Sequence, residues 1–133
     1  MPRFEWKYGY QTNNKIVDLQ HKYFLELMNR LYDELSGSAD QAYQARLLDE
    51  LFYYARFHFT SEENIFLRHL PHKFERHKRL HDHLLETLQG KISDLREEKI
   101  EPAAIVQFVV EWFFTHTITE DVQDLLYVEA TGH

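Results

Sequence analysis

The chain has no cysteine, only four glycines and three prolines in 133 residues, and no uninterrupted apolar run long enough to span a bilayer. Without cysteine there is neither a disulfide framework nor a thiolate metal site, so any metal must sit on nitrogen and oxygen ligands, and a reducing compartment is permitted. The scarcity of glycine and proline argues against a collagenous, disordered or turn-rich all-β chain and favours long helices. The N-terminal stretch from Met1 to Tyr10 is mixed and aromatic, with no apolar signal region. A soluble, cytoplasmic protein is therefore expected. Basic residues are also in deficit: 15 Lys and Arg against 22 Asp and Glu leave a net charge of −7, which disfavours nucleic acid and anionic membrane as partners.

What is present is a core. Apolar residues make up 44% of the chain and aromatic residues 15%. The length suits one domain, whose folding buries roughly two thirds of the surface of the unfolded chain. Phe24, Met28, Leu31 and Leu35 recur at helical spacing and predict a first helix over Asp18–Ser36, ended by Gly37, with Ser38 placed to cap the next. Leu47, Leu48, Leu51, Ala55, Ile65 and Phe66 predict a second over Ala39–His69, which Pro71 stops. Phe74, Leu84, Leu88, Ile92 and Leu95 predict a third over Lys73–Glu98, with Gly90 a weak point in it. Pro102 suits the first turn of a fourth, over Pro102–Thr117, with Ile105, Phe108, Val109, Trp112 and Phe113 on its stripe. The Thr-rich stretch after His116 predicts a bend, and a short helix over Thr119–Tyr127 follows. Residues 1–17, containing Phe4, Trp6, Tyr8 and Tyr10, read as an extended arm laid across the bundle. Short connections predict an all-α, antiparallel up-down-up-down four-helix bundle. No second apolar face is evident on the helices, so a monomer is expected.

Histidine is the compositional oddity, at nine residues. His21, His58, Glu62, His77, His81 and His116 occupy apolar-face slots, and Asp121 lies just beyond the last. A single core histidine is more often a hydrogen-bonded structural residue than a ligand. Groups of this kind on the buried stripe of four consecutive helices are different, because burying them uncompensated is costly and cations offset that cost. Residues four apart stack on one helix face, so His58 with Glu62 and His77 with His81 can each grip neighbouring coordination positions. Asp121 follows His116 by five, and about 140° of rotation separates them on a regular helix, hence the expected bend. The donor set exceeds one zinc and suits two six-coordinate ions sharing carboxylates, with iron preferred though not uniquely selected. His69, His72, His83 and His133 read as bystanders, and Glu63 and Glu120 as solvated neighbours of the ligands.

Asp18-Leu-Gln-His21, His58-Phe-Thr-Ser-Glu62-Glu63, His77-Lys-Arg-Leu-His81 and Trp112-Phe-Phe-Thr-His116 through Asp121 together resemble the hemerythrin family, specifically its single-domain bacterial members, over essentially the whole chain. The resemblance implies a non-haem di-iron centre with a bridging oxo or hydroxo group. His77, His81 and His116 would hold one iron, His21 and His58 the other, and Glu62 and Asp121 would bridge them. It implies reversible O2 binding as carrier, store or sensor, and no enzyme activity. Phe24, Leu25, Phe59, Trp112 and Phe113 lie one position or one turn from these ligands and would wall the O2 pocket against water. The chain departs from the family's pattern at Asn13, where Gly is usual, and at Thr117, where Ile is usual and a hydroxyl would instead border the pocket. The competing readings are a di-iron oxidase or peroxidase, which the excess of histidines over carboxylates disfavours, and an interaction module that senses O2, redox state or NO.

Overall fold

The computed structural model describes residues 4–7, 10–12, 14–37, 40–97, 101–118 and 124, with residues 116–118 described by backbone alone. It is an all-α bundle of α1 (Lys15–Gly37), α2 (Gln41–His69), α3 (Pro71–Arg96) and α4 (Pro102–Trp112), the last continuing into a π-helical segment, Phe113–Ile118. Helix α1 packs against α2 and α4, and α3 packs against the same two, so the four close a square of sequential neighbours. This is the arrangement short connections permit.

The helix ends follow local chemistry that hydrophobic periodicity does not register. Helix α1 begins three residues ahead of the expected Asp18, because Asn14 Oδ1 accepts from the Val17 amide at 3.1 Å and caps the first turn there. Asp18 instead serves the arm, accepting from both the backbone N and the hydroxyl of Thr12 at 2.8 Å. Asp40 caps α2 through bonds from the Ala42 and Tyr43 amides, in the role expected of Ser38. Pro71 ends α2 as expected, but it also opens α3 as a first-turn proline, two residues before the expected Lys73. Helix α3 runs unbroken through Gly90 to Arg96. The expected departure from α geometry in the fourth helix begins at Phe113, so it includes His116 rather than following it. Of the short helix expected over Thr119–Tyr127, only Asp124 is described, in a helical conformation.

The arm lies along the bundle. The Phe4 backbone and the Asn29 side chain exchange two hydrogen bonds, 2.8 and 2.7 Å, and Trp6 and Tyr10 pack partly buried against the core. A large apolar cluster runs through one end of the bundle, from Phe24 to Leu35 on α1 and from Leu84 to Leu95 on α3. A small second cluster of Val17, Phe66 and Leu70 closes the other end. Between them lies a layer of buried polar side chains.

Candidate metal centre

That layer is His21, His58, Glu62, His77 and His81, each no more than 2% exposed. Each sits on the core-facing stripe of α1, α2 or α3, where helical spacing from Phe24, Ala55 and Leu84 requires the side chain to point inward. Glu62 is the hub. Its Oε2 lies 2.9 Å from Nε2 of both His21 and His58, while its Oε1 faces His81 Nε2 at 3.4 Å. One carboxylate thus turns one oxygen to the α1–α2 side of the layer and the other toward α3. Donor atoms of His21, His58 and Glu62 fall within 4.8 Å of one another, a grouping that could hold a metal ion.

The rings are oriented from behind. His58 Nδ1 lies 2.8 Å from Gln20 Oε1, and His81 Nδ1 lies 2.8 Å from Glu63 Oε2. Contacts of this kind fix the ring so that the other nitrogen faces the centre. Glu63 is therefore not the solvated neighbour its sequence position suggested. The Phe59 ring stacks on His81 at 4.0 Å and Phe66 on His77 at 3.9 Å, so both α3 imidazoles of the layer are clamped by aromatic faces. Phe24 and Phe113 meet at 5.3 Å, and Phe113 stands edge-on to His21 at 5.2 Å. Trp112 is half-buried, 5.5 Å from Phe59. Leu25 is buried in the large cluster.

Electrostatically the layer is held under tension. Burial pushes the Glu62 carboxyl up, but His58, His21 and His81 outweigh it and hold the group well below the usual carboxylate range. For His58, burial is the larger effect and lowers its basicity despite Glu62. For His81, burial acts in the same direction but is overcome by Glu62 and Glu63, which raise it to about 9. Two atoms, His58 Nε2 and Glu62 Oε1, are buried without a well-formed hydrogen bond. Unsatisfied polar atoms are costly in an apolar core, and a cation among these nitrogens and oxygens would satisfy them. The residues present therefore fit a metal.

Three expected site residues, His116, Asp121 and Thr117, cannot be placed: Asp121 and the side chains of His116 and Thr117 lie outside the described residues, as does Asn13. His77 Nε2 instead meets Asp124, whose Oδ2 is 2.9 Å away and whose Oδ1 accepts from Lys73 at 2.6 Å. Asp124 is a residue that sequence reasoning missed, and its carboxyl is held below its ordinary value, burial being outweighed by His77 and Lys73. Gln20 and Phe66 were also missed. Their signal was present, since Gln20 adjoins a ligand and Phe66 lies one turn past Glu62 on the same stripe. His72 and His83 are exposed, as bystanders should be.

The hemerythrin HHE cation-binding domain matches residues 12–125. The chain belongs to the hemerythrin family. Similar proteins include bacteriohemerythrins of Pseudomonas aeruginosa (25% identical, over all of this chain and 84% of that protein), Aquifex aeolicus (29%, over 77% of each) and Methylococcus capsulatus (30%, over 79% of this chain and 80% of that one). Hemerythrins are mainly non-haem iron proteins that bind or sense oxygen rather than enzymes, and a buried His and Glu cluster is what such a function requires. Among the described residues no helix is long and apolar enough to cross a membrane.

Proposed function

We propose that this hemerythrin binds O2 reversibly at two iron ions, as carrier, store or sensor. His21 and His58 would hold one iron and His77, His81 and His116 the other, with Glu62 and Asp121 as the carboxylates shared between them and an oxo or hydroxo group completing the centre. The observation that carries this reading is the placement of Glu62, whose two oxygens face histidines on opposite sides of the buried layer. When bound, the iron pair supplies electrons and an open coordination position for O2.

The protein's part is to hold and to exclude. Gln20 and Glu63 fix the His58 and His81 rings with Nε2 inward, and the stacked faces of Phe59 and Phe66 stop His81 and His77 from rotating. Phe24, Phe59 and Phe113, each at most 1% exposed, wall the layer against water and anions, which slows irreversible oxidation. Histidines outnumber carboxylates among the ligands, a balance that favours reversible binding over oxidase chemistry.

The test is the optical spectrum of the iron-loaded, reduced protein before and after admitting air, and again after removing O2. A visible band that appears with air and disappears on degassing supports the reading. A band that never forms, or that collapses once to a stable ferric product, overturns it in favour of an oxidase or peroxidase, or of an interaction module that senses redox state or NO. One observation favours a sensor as the second reading: Trp6 of the arm lies 6.4 Å from His21, so the arm touches the centre. In that case the rate of proteolysis within residues 4–12 differs between the reduced protein with and without O2; equal rates count against a sensor.

A further inference from the structure

All of the large apolar side chains left exposed among the described residues lie on α1 or α2. They are not scattered. Ile16, Leu19 and Tyr23 follow one another on α1 at steps of three and four, and Tyr43, Tyr53 and Phe57 fall on one side of α2 at helical spacing, all between 44% and 65% exposed. Each helix of this neighbouring pair therefore carries a second apolar stripe, turned away from the stripe that builds the core. The sequence alone does not make the second stripe evident, because arginine and glutamate interrupt it. Between the two helices Tyr23 of one stripe and Tyr43, Tyr53 and Phe57 of the other flank a groove of about 760 Å³, floored by Leu27, Leu47 and Tyr54. Contiguous exposed apolar surface of this kind marks an interaction site.

We propose that this face is a homodimer interface, its occupant being the same face of a second copy of the chain. The first argument is charge. The molecule carries −7 overall, yet Arg30, Arg46, Asp49 and Glu50 leave the groove itself neutral. Arg30 is paired with Glu50, and Asp49 with Arg96 of α3, whereas Arg46 makes no ion pair among the described residues. A neutral face that offers a guanidinium and, within about one turn, two carboxylates is complementary to itself, as a two-fold interface requires.

The second argument is size. Helix α1 has 23 residues. At about 1.5 Å per residue and about 10 Å per helix width, the α1–α2 face measures roughly 35 by 20 Å, or about 700 Å². A stable interface needs about 800 Å² from each partner, so this face is of the right order by itself. Its composition agrees, with tyrosine, phenylalanine and arginine at the centre, the residue types that dominate such contacts. The groove also meets the metal layer: Tyr54 donates to the Gln20 carbonyl at 2.6 Å, and its ring lies parallel to His58, 6.5 Å between centroids.

The test is the mass of the wild-type chain in solution by light scattering, alongside Tyr53→Glu and Tyr43→Glu, neither of which touches the polar layer. The wild type is expected at twice the monomer mass, and both variants at the monomer mass with unchanged helicity. A wild type that stays monomeric at high concentration overturns the proposal, as does a dimer that the variants leave unchanged. Should the variants fail to fold, the absence of native cysteine allows a second measurement. Glu50→Cys is expected to be joined to its copy by a short bismaleimide cross-linker, whereas Gln107→Cys, on the exposed side of α4, is not; equal cross-linking of the two overturns the assignment.

Discussion

Residue by residue, the polar layer is organised by side chains that are not themselves expected to bind metal. Glu63 places a negative charge on the outer nitrogen of His81, whereas Gln20 offers His58 a neutral acceptor. Removing such a partner typically weakens metal affinity by about 10- to 100-fold. Glu63→Gln is therefore expected to lose that much in chelator competition, and to raise the reduction potential of bound iron because a negative charge beside His81 is gone. Glu63→Asp should recover part of both, and an affinity and potential unchanged in Glu63→Gln would remove Glu63 from the site. Phe59→Ala strips the ring stacked on His81 and opens a cavity beside the layer. A loss of about 3–5 kcal/mol in denaturant unfolding is expected, since its side chain is almost fully buried. The inward turn of His21, His58, Glu62, His77 and His81 was legible in the sequence, because helical periodicity converts spacing directly into facing. The orienting roles of Gln20 and Glu63 were not, because each depends on a second helix: α2 brings His58 to Gln20 of α1, and α3 brings His81 to Glu63 of α2.

At the scale of the element, the helices are set by caps and by two prolines more than by the extent of their apolar stripes. Asp40 caps α2 with two backbone amides and is exposed, so Asp40→Ala is expected to cost about 1 kcal/mol with no effect on the metal layer. Gly90 gives a prediction of the opposite sign. It lies exposed inside α3, and a Cβ built there meets nothing within 4 Å. Gly90→Ala is therefore expected to stabilise the fold by about 0.5–1 kcal/mol, by lowering the entropy the chain loses on entering the helix. A destabilised variant in thermal unfolding would mean that the position serves something other than helix. The π-helical turn at Phe113–Ile118 was legible only as a disturbance somewhere in the Thr-rich stretch. Its start at Phe113 reflects hydrogen-bond register, which residue types do not encode position by position.

Across the whole molecule, the buried layer couples stability to pH and to metal. In the metal-free protein, His81 keeps its proton up to about pH 9, against 6.5 for an ordinary histidine. The stabilisation from that raised affinity is complete below pH 6.5 and is lost as pH rises toward 9. The unfolding midpoint of the metal-free protein is therefore expected to fall across that window, and His81→Asn to flatten the fall. A midpoint that rose from pH 6.5 to 9 in the wild type would contradict the pairing of His81 with Glu62 and Glu63. Iron binding adds stability that grows with the logarithm of free metal, about 2.7 kcal/mol at a free metal concentration one hundred times the dissociation constant. Chelation should lower the melting temperature accordingly, with α2 affected because it carries the hub carboxylate.

The sequence by itself determined that the chain is an all-α bundle, that its helices turn His21, His58, Glu62, His77 and His81 inward, and that any metal rests on nitrogen and oxygen. Those features follow from period and composition, which are properties of a single segment. The tertiary structure alone decided that Glu62 faces histidines on both sides of the layer, that Glu63 and Gln20 orient rings on neighbouring helices, and that α1 and α2 together present an aromatic face to solvent. Each of these is a relation between helices. It depends on the rotation and offset at which they pack, and those are fixed by the fit of side chains from all four helices at once.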